Sequence, residues 1–299
     1  MRGHWDIKRF RNLTFLLSSL WTVCSCSLSK YAANPAFPVV DSRIKYKGIL
    51  EECMYDCSVK GPGQRRMFVY LPGDYYENDT RYPVLYLLHG ARGNELSWIV
   101  KGNLLGNIDS LTSSSMMKET IVVLPNLNQY KDDRDFGKSR LKSPVESFFE
   151  TDGMVESAFM DDVVATIDSL YRTMPDKKHR SIAGLSIGAM QAMYISANSP
   201  DAFDYVGMFS SIIRPALGRK GFSSFYKGLE GKLAVQFRSP PELYMLMIGR
   251  KDLYYPRMKA YARYLERMRY PFVMYVADGG HEWYNWEPFA NIFMQKLWK

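Results

Sequence analysis

Two rhythms of apolar and polar positions run along this chain. Short apolar runs bounded by turn formers recur at 82–89 (YPVLYLLH), 120–124, 181–185, 205–209, 243–248 and 272–276. Continuous runs of this length are the mark of strands buried on both faces, as in a parallel sheet. Between them, apolar residues recur at helical spacing over 95–111, 157–171, 189–195, 257–269 and 286–298. In 157–171 the stripe is Phe159, Val163, Val164, Ile167 and Leu170, which predicts one amphipathic helix. Strand and helix alternate from Tyr82 onward, which predicts an α/β fold with a mainly parallel central sheet and helices on both faces. Ahead of this, 49–59 and 67–71 predict a strand pair turning at Gly61-Pro62-Gly63. The polar loop 74–81 carries Asn78-Asp79-Thr80, a glycosylation sequon that matters only in a eukaryotic secretory route. The stretch 129–153 breaks the rhythm. It is long, charged and mixed, a size that in a compact domain points either to a functional cover over the strand ends or to a solvated insertion.

At 299 residues and 46% hydrophobic content the chain suits one large α/β domain or two small ones. Its start reads as a leader. Basic residues through Arg11 precede an apolar segment at 13–23, too short to span a membrane comfortably. Val23-Cys24-Ser25-Cys26 then resembles a bacterial lipoprotein box, which would make Cys26 the lipid-bearing first residue and an anchor to a membrane. Cleavage after Ser25 or Ser27, or a retained signal anchor, are the alternatives. The predicted organisation is a leader over 1–26, a linker over 27–47 and one domain over 48–299, exported to the periplasm, the outer membrane or the medium. Net charge is +8, but Arg2, Lys8, Arg9 and Arg11 against Asp6 place +3 of it in the leader. No basic block with interleaved aromatics remains, which argues against nucleic acid as a partner. Of four cysteines, two fall in the leader. Cys53 and Cys57 share one face of a predicted strand about 13 Å apart, too far for a disulfide, and read as small buried hydrophobes. C-x-x-x-C without a second ligand pair is no metal site, and no motif asks for a cofactor. Aromatics make up 14%. Tyr254, Tyr255, Trp283 and Trp286 fall in predicted loops or at their borders, suited to stacking on sugar or aryl rings or to core filling.

The chemistry gathers around Gly184-Leu185-Ser186-Ile187-Gly188. This G-x-S-x-G lies between a predicted strand and a run of helix formers, the setting of a nucleophile elbow. A serine hydroxyl needs a base within hydrogen-bond reach. Of four histidines, only His281 follows Ser186, on a loop opened by two glycines just past a strand. Asp252, past the strand through Ile248, is the candidate to orient that imidazole, with Asp278 as rival. The order Ser, Asp, His is that expected of an α/β-hydrolase. Acyl transfer also needs donors for an oxyanion. The backbone N–H groups of Ile187 and of Ala91, in the glycine-bearing loop His89–Gly93, are the candidates. Arg92, beside Ala91, and Trp283 are the candidate substrate contacts.

These pieces resemble one family in order and spacing. VYLPGDY (69–75), RYPVLYLLHGARGNELSW (81–98), IVVLPN (121–126), SIAGLSIGAMQA (181–192), GRKD (249–252) and GGHEWYNW (279–286) are similar to the esterase D-like family of α/β-hydrolases, in its feruloyl and acetylxylan esterase branch. The resemblance implies a metal-free serine esterase with Ser186, Asp252 and His281 as triad. Its expected partner is an acylated oligosaccharide or small ester. Trp283 and Trp286 match the family's H-x-W-x-x-W, whereas 129–153 does not align with it. The same triad serves an S-formylglutathione hydrolase-like thioesterase or an acyltransferase, and a non-catalytic glycan-binding protein would keep the fold without the activity.

Overall fold

The computed structural model describes residues 46–59, 63–128, 153–213 and 224–299. The expected leader with Cys26, the linker up to residue 45 and the insertion from 129 to 152 lie outside these residues. Within them the chain runs through a hairpin, β1 (Ile49–Asp56) and β2 (Gln64–Leu71), then β3 (Val84–Leu88), α1 (Ser97–Gly102), α2 (Leu104–Ser113) and β4 (Ile121–Pro125). After the insertion come α3 (Met154–Ser157), a π-helical turn (Met160–Val164), α4 (Ala165–Leu170), β5 (Arg180–Leu185) and α5 (Ile187–Asn198). The remainder is β6 (Tyr205–Phe209), α6 (Leu229–Gln236), β7 (Leu243–Gly249), α7 (Tyr255–Arg267), β8 (Val273–Ala277) and α8 (Trp283–Met294).

The eight strands form one sheet in the order β1-β2-β4-β3-β5-β6-β7-β8. β2 lies antiparallel to β1 and to β4, and every other pairing is parallel. This is the mainly parallel α/β sheet that the alternation predicts, arranged as the α/β-hydrolase resemblance implies. Successive strand residues go to opposite faces. Val84, Tyr86 and Leu88 of β3 join Ile182, Val206, Leu246 and Ile248 in one core layer, against residues of α5 and α7. Leu85 and Leu87 join Ala183, Leu185, Phe209 and Met247 in the other, under Trp98, Phe289 and Phe293. Both layers are buried, which is why the strand sequences are unbroken apolar runs rather than alternating ones. β8 stands at the sheet edge and is only half-buried along its length.

Several elements differ from expectation. The helix predicted over 95–111 is two, because Asn103 adopts a left-handed conformation (φ 46°), caps α1 through its N–H to the Trp98 carbonyl and restarts the chain as α2. The helix predicted over 157–171 is interrupted by the wider π turn, where Asp162 accepts the Ser58 N–H at 3.0 Å. Leu170, placed on the apolar stripe by its spacing, sits in the last turn and is 61% exposed. Cys53 is buried, but Cys57 lies past the end of β1 and is half-buried, and both thiols are free. Tyr255 and Trp283 belong to helices rather than loops, and the last helix starts at Trp283, three residues ahead of the predicted 286.

One contact fixes the centre of the fold. The first turn of α5 lies on the backbone that leaves β3, and a Cβ at Gly188 would stand 2.3 Å from the His89 carbonyl oxygen and 2.8 Å from that of Leu88. Only glycine leaves room. Gly188→Ala must push helix and strand apart, and overpacking of this kind costs about 1–3 kcal/mol. Urea unfolding of the variant should show that loss, and a midpoint equal to wild type would mean the two backbones are not held in contact.

Candidate active site

β5 delivers Ser186 into a sharp turn. Its backbone stands at φ 54°, ψ −113°, a conformation that costs a non-glycine residue about 1–3 kcal/mol and persists only where the surroundings impose it. Here they do. The Ser186 N–H is held by the Phe209 carbonyl of β6 at 2.8 Å, and its carbonyl accepts the Met190 N–H at 3.2 Å. α5 starts at the next residue, so its first N–H groups, which have no acceptor within the helix, and its positive end face the Ser186 hydroxyl.

β7 and β8 supply the other two side chains. His281 Nε2 lies 2.9 Å from Ser186 Oγ, and His281 Nδ1 lies 2.9 Å from Asp252 Oδ2. Asp252 is 3% exposed, and its Oδ1 accepts the Tyr254 N–H at 2.8 Å. Burial pushes the Asp252 carboxyl up, but bonds from His281 and the Tyr254 amide outweigh it and hold the group below its ordinary value. The Ser210 hydroxyl acts in the same direction from outside hydrogen-bonding geometry. An ionised Asp252 accepts from Nδ1–H, which leaves Nε2 as the acceptor facing Ser186. The imidazole is gripped edge-on by Tyr254 at 5.1 Å and Trp286 at 4.9 Å between centroids. Buried Asn285 pins its loop by donating to the Gly280 carbonyl at 2.8 Å. The rival Asp278 is 97% exposed and lies 3.9 Å from Arg250, so it is not the carboxylate that meets His281. His179 is bound to Asp176 at the opposite end of β5.

The loop after β3 faces the same turn. A Cβ at Gly90 would stand 3.5 Å from Ser186 Cβ. The Gly90 carbonyl accepts the Gly93 N–H at 3.0 Å and lies 2.9 Å from His89 Nδ1. The Leu127 N–H donates to His89 Nε2 at 3.2 Å, which assigns the proton to Nδ1. A trans peptide points its N–H away from its carbonyl, so the Ala91 N–H is turned to the side opposite these partners. Arg92 is exposed and left-handed (φ 57°). Trp283 is half-buried, edge-on to Trp98 at 5.1 Å and to Trp286 at 5.5 Å. Ser186, His281, Asp252, Ile187 and the Ala91 loop therefore come together, and Trp283 is largely taken up by its tryptophan neighbours. The sequence reading missed Glu95, Asn126 and Asn128, which brace the loop. The available signal was two asparagines directly after a buried strand. Among the described residues no cluster of His, Cys, Asp or Glu could hold a metal.

Residues 58–292 match the family model described as putative esterase. An endo-1,4-beta-xylanase/feruloyl esterase of Xylanibacter ruminicola is 37% identical over 148 residues, 48% of this chain and 19% of that protein. An uncharacterized protein of Corynebacterium glutamicum is 26% identical over 67% of this chain and 45% of its own length. The chain thus spans less than half of either relative. A CE1 ferulic acid esterase from Anaeromyces mucronatus in complex with ferulic acid superposes with a TM-score of 0.69 and 23% identity, over 89% of this chain and 96% of that one. At that identity the likeness speaks for the fold.

The depressed Asp252 carboxyl sets a pH signature. Its ionised form stabilises the fold above the carboxylate's unfolded pKa, about 3.9, and that contribution is lost as pH falls through the lower folded value. Asp252→Asn should therefore melt below wild type at neutral pH, with the gap closing as the pH drops under about 4. A gap unchanged from pH 7 to 3 would show that the charge does not contribute.

Proposed function

The chain belongs to the putative esterase family matched over residues 58–292, and on that premise we propose that it is a serine carboxylic-ester hydrolase acting through an acyl-enzyme. The observation that carries this is the unbroken run of hydrogen-bonding contacts from Ser186 Oγ through His281 to Asp252. Ser186 Oγ attacks the ester carbonyl carbon while His281 Nε2 takes its proton. The Ile187 and Ala91 amides hold the oxygen as it gains charge. As the tetrahedral species collapses, the bond to the leaving alcohol breaks and His281 returns the proton to it. Water enters, gives a proton to His281, attacks the acyl carbon and frees the acid, and Ser186 recovers its hydrogen. Asp252 stays ionised throughout and stabilises the imidazolium.

The substrate is a feruloyl or acetyl ester on plant polysaccharide. Support comes from the feruloyl esterase named in the Xylanibacter relative and the ferulic acid bound by the Anaeromyces structure. The exposed Arg92 and what the neighbouring tryptophans leave uncovered of half-buried Trp283 are the substrate-side contacts. The leader over 1–26 sends the protein out of the cell, where such polymers are met, with Cys26 as its lipid anchor. No described helix is long and apolar enough to cross a membrane.

The test is a panel of methyl ferulate, an aryl acetate and acetylated xylan, with fluorophosphonate labelling followed by intact mass. Wild type should hydrolyse at least one ester and take up one label. Ser186→Ala should take up none, and both it and Asp252→Asn should lose about 10³-fold or more in kcat. Equal turnover by wild type and Ser186→Ala would refute the nucleophile.

A further inference from the structure

The Ala91 donor sits on a tight turn that closes on the Gly90 carbonyl, which accepts the Gly93 N–H at 3.0 Å and lies 2.9 Å from His89 Nδ1. Gly90 and Gly93 flank Ala91 and Arg92, and Arg92 is left-handed. The turn keeps this shape only while His89 and Gly93, the two residues bonded to the Gly90 carbonyl, are themselves held from outside. Three consecutive residues that leave β4 do this. Asn126 Nδ2 donates to Glu95 Oε2 at 2.7 Å, the Leu127 N–H donates to His89 Nε2 at 3.2 Å, and Asn128 Nδ2 donates to the Gly93 carbonyl at 2.8 Å. The loop is thereby held before Ala91 at His89, after it at Gly93 and beyond the turn at Glu95.

The three clamping residues are themselves held by the hairpin. The Asn126 N–H donates to the Arg66 carbonyl at 3.2 Å, and the Asn128 N–H to Asn126 Oδ1 at 2.9 Å. Arg65, 4% exposed, directs its guanidinium to the Asn126 and Asn128 carbonyls and to Cys57 Sγ rather than to a carboxylate, and the Tyr55 hydroxyl donates to the Asn126 carbonyl at 3.2 Å. Arg66 Nε reaches Glu95 Oε1 at 2.5 Å. Glu95 is 2% exposed, and a buried carboxylate so bound by two partners is fixed in place.

We infer that Asn128, Asn126 and Glu95 are positioning residues for the oxyanion donor. They touch no substrate, and they set the plane of the Gly90–Ala91 peptide so that its N–H meets the developing charge. The inference rests on the esterase reading. It assigns the antiparallel hairpin a part in catalysis, although that hairpin contributes no reacting atom.

The test compares Asn128→Ala, Asn126→Ala and Glu95→Gln with wild type on an aryl acetate and on its thionoester, where sulfur replaces the carbonyl oxygen. Oxyanion amides favour oxygen over the larger, weaker acceptor sulfur. Removing one such donor outright costs about 10²–10³ in kcat, so misplacing one should cost about 10–100-fold. The variants should lose kcat on the oxygen ester by that factor with KM changed by less than about threefold, and their oxygen-to-sulfur rate ratio should fall. They should still take up fluorophosphonate at Ser186. Glu95→Gln keeps the shape of the side chain and serves should either alanine variant fail to fold. Folded variants with an unchanged ratio, whatever their melting temperature, would overturn the clamp. A wild type that neither turns over esters nor takes up the label would instead overturn the esterase reading itself.

Discussion

Parallel pairing is the constraint on which everything else in this molecule depends. Strands that run the same way end at the same edge. The registers Leu88 to Gly184, Leu185 to Phe209, Phe209 to Met247 and Gly249 to Ala277 bring five strand ends level. Residues far apart in the chain then meet because each lies within a few positions of its strand's end. Ser186 is one residue past β5, Asp252 three past β7, His281 four past β8, and the loop with Ala91 opens directly after β3. No long-range recognition between these segments is needed beyond the sheet itself.

That economy has local costs, and the surroundings meet them. Ser186 is kept at positive φ by bonds to β6 and to its own helix. Asp252 is kept ionised in its buried position by His281 and the Tyr254 amide. His281, just past the half-buried edge strand β8, gains rigidity from the rings of Tyr254 and Trp286 and from Asn285, which bonds its loop. Each device replaces solvent by a fixed protein group, so a reacting centre here would need little reorganisation.

The sheet and the Ser–His–Asp contact were legible because both follow from strong local signals. Apolar runs such as 82–89 and 205–209 have one physical explanation once helices separate them, and G-x-S-x-G names its own backbone geometry. Asp278 stands three residues before His281 on the same loop, an awkward place from which to meet its ring, and the exposure of Asp278 agrees with the choice of Asp252. Other features were not legible. Asn103 ends a helix through a single left-handed residue inside an otherwise helical pattern, and tertiary context decides such breaks. Leu170 fits an apolar stripe, yet it falls where the helix ends and stays exposed among the described residues. Trp283 looked free for stacking because a sequence does not show that Trp98 and Trp286 take its ring edges.

The two halves of the site differ in how they are held, and the difference explains what a sequence reader sees. The base half rests on groups of distinctive chemistry, an imidazole, a carboxylate and aromatic rings, and each leaves a mark on the chain. The donor half rests on backbone amides, whose identity carries no mark, and on ordinary asparagines, a glutamate and two arginines of β2. Buried polar groups must be satisfied wherever they occur, so Arg65 at 4% exposure and Glu95 at 2% read as plain structural residues in any local window. Only their convergence on one glycine-bearing loop separates them from that background, and it is visible only in three dimensions. On the proposed esterase reading, the side chains that aim the main-chain donors belong to the site as fully as the serine does.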